Sequence, residues 1–168
     1  MAIIKPNNNT ISAITALPAG VGGKVLQVVQ GTATTTMLTT STTYADTNLT
    51  ANITPSSTSS KIYVTVNQNV TLDDTTDDRV GGALRLLRDS TVIYGGDREY
   101  EMFFENNTGN ATQNFITVNR NYLDSPSTTD ATTYKVTVKN HTTAGNRQIK
   151  INSASTGKSS ITLMEVSA

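Results

Sequence analysis

The chain has no cysteine, so disulfides cannot hold it together, and a metal site would have to be built from histidine or carboxylates. It has no tryptophan and only three phenylalanines, leaving a core short of large aromatic side chains. A core that thin points to stability shared between subunits. Its 13 basic and 13 acidic residues cancel to a formal net charge of zero. Without a basic stripe to release counterions from phosphates, no nucleic-acid partner is expected. No apolar run approaches the roughly 18 residues of a membrane span, so no membrane partner is expected either. The opening Met1-Ala2-Ile3-Ile4-Lys5-Pro6 lacks the continuous apolar segment of a signal peptide.

What fills the chain instead is hydroxyl and amide. Among 168 residues there are 31 Thr, 14 Ser and 16 Asn. Threonine is β-branched and suits the half-exposed surface of a pleated strand, while Ser and Asn favour turns. The composition therefore predicts an all-β protein. The length fits one domain, large enough to hide about two thirds of its unfolded surface. A neutral, hydroxyl-rich surface also offers little repulsion between copies.

Two regions separate along the sequence. Residues 1–23 carry turn and linker material, Asn7-Asn8-Asn9 and Leu17-Pro18-Ala19-Gly20-Val21-Gly22-Gly23, around a sparse apolar set of Ile3, Ile4, Ile11, Ile14 and Leu17. The bland reading of such a stretch is a disordered tail; an arm so poor in core-forming residues stays ordered mainly when another chain holds it, and the reading adopted is an anchoring arm. From residue 24 to 168 the pattern has period two. Ile62, Val64 and Val66 alternate with Tyr63, Thr65 and Asn67, and Tyr134, Val136 and Val138 alternate with Lys135, Thr137 and Lys139. Further strands are predicted at 24–30, 48–54, 80–88, 91–94, 98–105, 113–122, 147–152 and 159–166. About ten strands with frequent turns and no helix of useful length predict an antiparallel, jelly-roll-like β-sandwich. Its free edges need covering, which cyclic self-association would supply.

Residues that could carry chemistry are few. Asp73, Asp74, Asp77 and Asp78 could offer carboxylates to calcium, but they lack the ligand order and turn glycine of an EF-hand; a solvated hairpin tip is the plainer expectation. Asp97, Glu99 and Glu101 fall on one face of a predicted strand, where glycoside hydrolysis is conceivable and a solvent-facing edge, or a match for a neighbour's Arg98, Arg85 or Arg88, is simpler. His141 is the sole histidine and sits in a predicted exposed loop with no nucleophile elbow anywhere in the chain. Gly81-Gly82 and Gly95-Gly96 read as bends or bulges, because no helix follows them to hold a phosphate. Tyr63, Tyr94, Tyr100, Phe103 and Phe104 are available for packing, interfaces or sugar stacking. No catalytic residues, metal or cofactor are expected.

Longer segments resemble a known family. Lys24-Val-Leu-Gln-Val-Val-Gln30, the Thr-rich run to Tyr44, and Ala45 through the Ser-rich turn to Lys61 are similar to tailed-phage structural proteins commonly labelled tail fibre or virion structural protein. So are Leu84-Arg-Leu-Leu-Arg-Asp-Ser-Thr-Val-Ile93, Tyr122-Leu-Asp-Ser-Pro126 with Thr133-Tyr-Lys-Val136, and the closing Ser160-Ile-Thr-Leu-Met-Glu165. The resemblance spans roughly residues 24–166. It implies a jelly-roll-like domain, a homotrimer and a place on the virion surface, and it supplies no catalytic residues. With only a short arm before the domain, it favours a capsid decoration or head fibre bound to the major capsid protein or another virion protein. The alternative is a tail fibre that binds a host surface glycan.

Overall fold

The computed structural model describes residues 24–74, 79–96, 100–105, 111–143, 147–153 and 157–167. The arm residues Ile3, Ile4, Ile11, Ile14 and Leu17, together with Asp77, Asp78, Asp97 and Glu99, lie outside that set. Among the described residues there are eleven strands and no helix: β1 (Val25–Ala33), β2 (Met37–Thr39), β3 (Ala45–Ile53), β4 (Lys61–Asp74), β5 (Arg79–Arg88), β6 (Thr91–Gly95), β7 (Met102–Glu105), β8 (Thr112–Asp124), β9 (Thr132–Asn140), β10 (Gln148–Ile151) and β11 (Ser159–Val166).

These strands form two antiparallel sheets. The first runs β1-β11-β4-β10-β2, with β8 on the other side of β4; the second runs β3-β9-β5-β6, with β7 also bordering β5. Beyond the short β2–β10 pair, the first sheet orders β1-β11-β4-β8 and the second β3-β9-β5-β6/β7. Counting β6 and β7 as two pieces of one strand, that is the order 1-8-3-6 facing 2-7-4-5. Each sheet takes strands alternately from the two halves of the chain, the double Greek key of a jelly roll. The predicted class is therefore the observed one.

The core lies between the sheets and is aliphatic. Ile62, Val64, Val66, Val70 and Leu72 of β4 meet Leu84 and Leu86 of β5 and Tyr134, Val136 and Val138 of β9, with Ile161 and Leu163 of β11 alongside. Period-two alternation decides which residues enter: in β11 every second side chain is buried, from Ser159 to Glu165. The interior is built mainly from β-branched residues and leucines, and Tyr134 is the one buried ring among the described residues.

Two close approaches require glycine. A Cβ on Gly31 would stand 1.9 Å from the Thr50 carbonyl oxygen, where β1 crosses against β3. A Cβ on Gly82 would stand 2.0 Å from the Lys139 carbonyl oxygen and 2.6 Å from Ile149 Cδ1. Gly81 and Gly82 thus sit inside a regular strand because neighbouring backbone is close, whereas Gly95 and Gly96 do form a bend, at φ of 83° and 84°. Gly31→Ala should destabilise the fold by about 1–3 kcal/mol, as overpacking against backbone does. The urea midpoint should fall at unchanged slope. An unchanged midpoint would mean that β1 can leave β3 at no cost.

Candidate functional site

Alternation along β4 and β8 gives the first sheet a continuous outer face. Residues opposite one another in register share that face, so it can be read row by row. At one end Val28, Met164, Tyr63 and Leu123 line up across β1, β11, β4 and β8. This row is apolar and open to water: Val28 is 58% exposed, Leu123 55% and Tyr63 37%. Val25 and Leu26, also exposed, stand at the same end, where β1 leaves residues 1–23. The middle rows are polar: Gln30–Thr162–Thr65–Asn121, then Thr32–Ser160–Asn67–Asn119. Gln30 Nε2 donates to Thr162 Oγ1 at 3.1 Å. The far end is a groove beside Phe115, lined by Asn69, Thr71, Thr117, Ser153 and Gly157.

Strand β8 carries the edge of this face. Among the described residues it pairs only with β4, over the whole stretch from Thr112 to Asp124. It contains no proline or lysine, the residues that usually blunt such an edge. Its inward side chains hold it to the second sheet. Arg120 Nη2 lies 3.3 Å from Glu101 Oε2, and Tyr122 packs on Tyr94 with ring centroids 5.6 Å apart. Asp124 accepts hydrogen bonds from Arg88 Nη1 at 2.9 Å and from the Tyr134 hydroxyl at 2.6 Å. Burial of that phenol, together with its bond to Asp124, pushes the Tyr134 hydroxyl far above its ordinary range.

The sequence-predicted residues fall in different places. Asp73 and Asp74 end β4 and are buried, not displayed at a solvated tip. Asp73 is engaged by Lys150 and by Gln113 Nε2. Glu101 is no solvent-facing edge residue: it precedes β7 and accepts from the backbone N–H groups of Leu84 at 3.1 Å and Gly96 at 2.8 Å, besides Arg120. His141 is half-buried against Tyr100, with ring centroids 4.4 Å apart, and not a free loop residue. No group of three or more His, Asp or Glu side chains is gathered among the described residues. Phe115 and Leu123 were the residues to notice. The inward parity of Ile116, Val118 and Tyr122 already turns both of them outward.

No family model matches this chain and no curated protein matches it. Among solved structures it is similar to a chain in the structure of infectious bursal disease virus, Gx strain, at 13% identity and a TM-score of 0.36. That alignment covers 84% of this chain and 37% of the viral one, so this chain spans well under half the length of its neighbour. A likeness at that level carries no argument about function.

Proposed function

We propose that the chain is a virion structural protein of a tailed phage: a capsid decoration or head-fibre subunit that self-associates as a trimer on the capsid exterior. The observation that carries this reading is the apolar row Val28–Met164–Tyr63–Leu123, placed at the end of the sheet where the arm joins β1. Exposed apolar surface on a neutral protein with a bare sheet edge is a surface meant for another copy. Copies that meet through that end bring their arms together. Several weak arms on one trimer then bind the shell with an avidity about 10²–10⁴ above that of one arm. The resemblance of residues 24–166 to phage structural proteins supports the same role.

Two variants test it. Deleting residues 1–20 should leave a folded trimer that no longer co-sediments with phage particles. Val28→Asp with Leu123→Asp should give monomers in sedimentation equilibrium and weaken particle attachment by about 10² or more. Attachment by the truncated protein, or a wild type that stays monomeric at high concentration, would overturn the proposal. Copies per particle, counted by mass spectrometry, separate a decoration protein from a tail fibre.

A further inference from the structure

The far end of the same face holds a different kind of surface. A groove of about 250 Å³ opens there between β4, β8 and the pair Ser153 and Gly157. Phe115 forms one wall and is 62% exposed, the most exposed of the described large apolar side chains. It takes no part in the core cluster. Thr71 and Asn69 form the floor, Thr117 stands beside Phe115, and Ser153 closes the opposite side. None of the described lining side chains is charged.

The polar groups are held in place and only partly used. Thr117 Oγ1 donates to Asn69 Oδ1 at 2.9 Å, Asn69 Nδ2 donates to the Lys158 carbonyl at 2.6 Å, and the Thr71 and Ser153 hydroxyls are bonded to each other. By valence this leaves lone pairs on Thr117, a second N–H on Asn69 and one O–H from the Thr71–Ser153 pair. Fixed donors and acceptors therefore sit next to an exposed aromatic face. An anion would find no cation among the lining residues, and a wholly apolar ligand would strand the buried hydroxyls. A sugar ring has what fits: an apolar C–H face for Phe115, and a rim of hydroxyls that both donate and accept.

We propose that this groove binds one ring of a neutral polysaccharide, with Phe115 as its stacking platform and Asn69, Thr71, Thr117 and Ser153 as its hydrogen-bonding rim. The groove is open, so the sugar chain can continue on either side. One such subsite binds weakly, at about millimolar Kd, and a self-associated particle raises that by avidity. The site is spatially separate from the attachment surface. Phe115 and Leu123 are eight positions apart on β8, about 27 Å.

Affinity electrophoresis of the full chain through gels containing a neutral glucan, galactan, mannan or soluble chitin oligomer tests this, with pectate as the acidic control. At least one neutral gel should retard the protein, and pectate should not. Phe115→Ala should weaken that retardation about tenfold or more. Because the ring is exposed and outside the core, the variant should keep the wild-type circular dichroism and melting temperature. Val92→Ala, an exposed side chain on β6 of the other sheet, should be retarded like the wild type. Free migration in every neutral gel, retardation by pectate alone, or retardation indifferent to Phe115→Ala would each overturn the proposal. None of these outcomes touches co-sedimentation with particles, so the attachment reading stands or falls separately.

Discussion

Asp124→Ala should lower the stability of the fold by about 3–5 kcal/mol, towards the lower figure because Arg88 keeps some contact with water. Asp124 is 5% exposed and Tyr134 is fully buried, while the Arg88 side chain is 26% exposed. The three residues come from β8, β5 and β9, so one carboxylate ties the bare edge of the first sheet to the two central strands of the second. Removing it leaves the Tyr134 phenol without its acceptor and the Arg88 guanidinium with the Ser125 carbonyl, at 3.3 Å, in place of a carboxylate. Tyr134→Phe removes only one donor and leaves the ion pair intact, so its loss should be nearer 1 kcal/mol. Urea titration of the two single variants and the double variant measures the coupling. A loss below 1 kcal/mol for Asp124→Ala would show that this carboxylate is not what holds β8 to the second sheet.

Acid should release a second fastening. Glu165 is buried at the end of β11, where its carboxylate accepts from the Ser56 N–H at 2.7 Å, the Ser56 hydroxyl at 2.6 Å and Gln27 Nε2 at 2.6 Å. Burial alone would raise its pKa. The hydrogen bonds from Ser56 and Gln27 outweigh that and hold the carboxyl down from 4.5 to about 2. The folded state therefore binds its proton later than the unfolded chain does. The stabilisation is complete above the ordinary value of 4.5 and is lost as pH falls from there towards 2. Glu165→Gln turns an amide donor towards groups that are themselves donors, and should cost about 1–3 kcal/mol at neutral pH. That difference from wild type should shrink steadily when urea titrations are repeated between about pH 5 and pH 2.5. A difference that stays constant across the window would mean that the charge on Glu165 is not what holds the 54–60 turn.

Much of the architecture was legible because alternation is a local signal. Ile62, Val64 and Val66, and likewise Tyr134, Val136 and Val138, face inward as their spacing predicts, and the strand predicted at 159–166 has those bounds. The short β2 was hidden inside a Thr-rich run, since three residues show no period and their pairing with β10 lies more than a hundred positions away. Asp73 and Asp74 read as solvated because carboxylates usually are; Lys150 and Gln113, which engage Asp73, come from strands that no local pattern connects to it. Glu101 was assigned to an open edge for the same reason, and its charged partner Arg120 lies on the facing sheet. The outer-face sites were half legible. Parity on β8 points Phe115 and Leu123 outward, but only the sheet order places one beside a groove and the other at the end of an apolar row.

The place of β11 between β1 and β4 has a consequence for how the chain is made. Val25 pairs with Val166, and Lys24 and Ser167 bond to each other through N–H and C=O, so the two ends of the described chain meet in the wall of one sheet. During translation β1 and β4 leave the ribosome long before the strand that must slot between them. Until it emerges, that sheet is an open clasp with two sticky margins, and the jelly roll can only shut once β11 has been made. Nascent chains stalled before residue 159 should therefore be protease-sensitive and bound by chaperones, and a permutant that fuses β11 directly ahead of β1 should close far sooner.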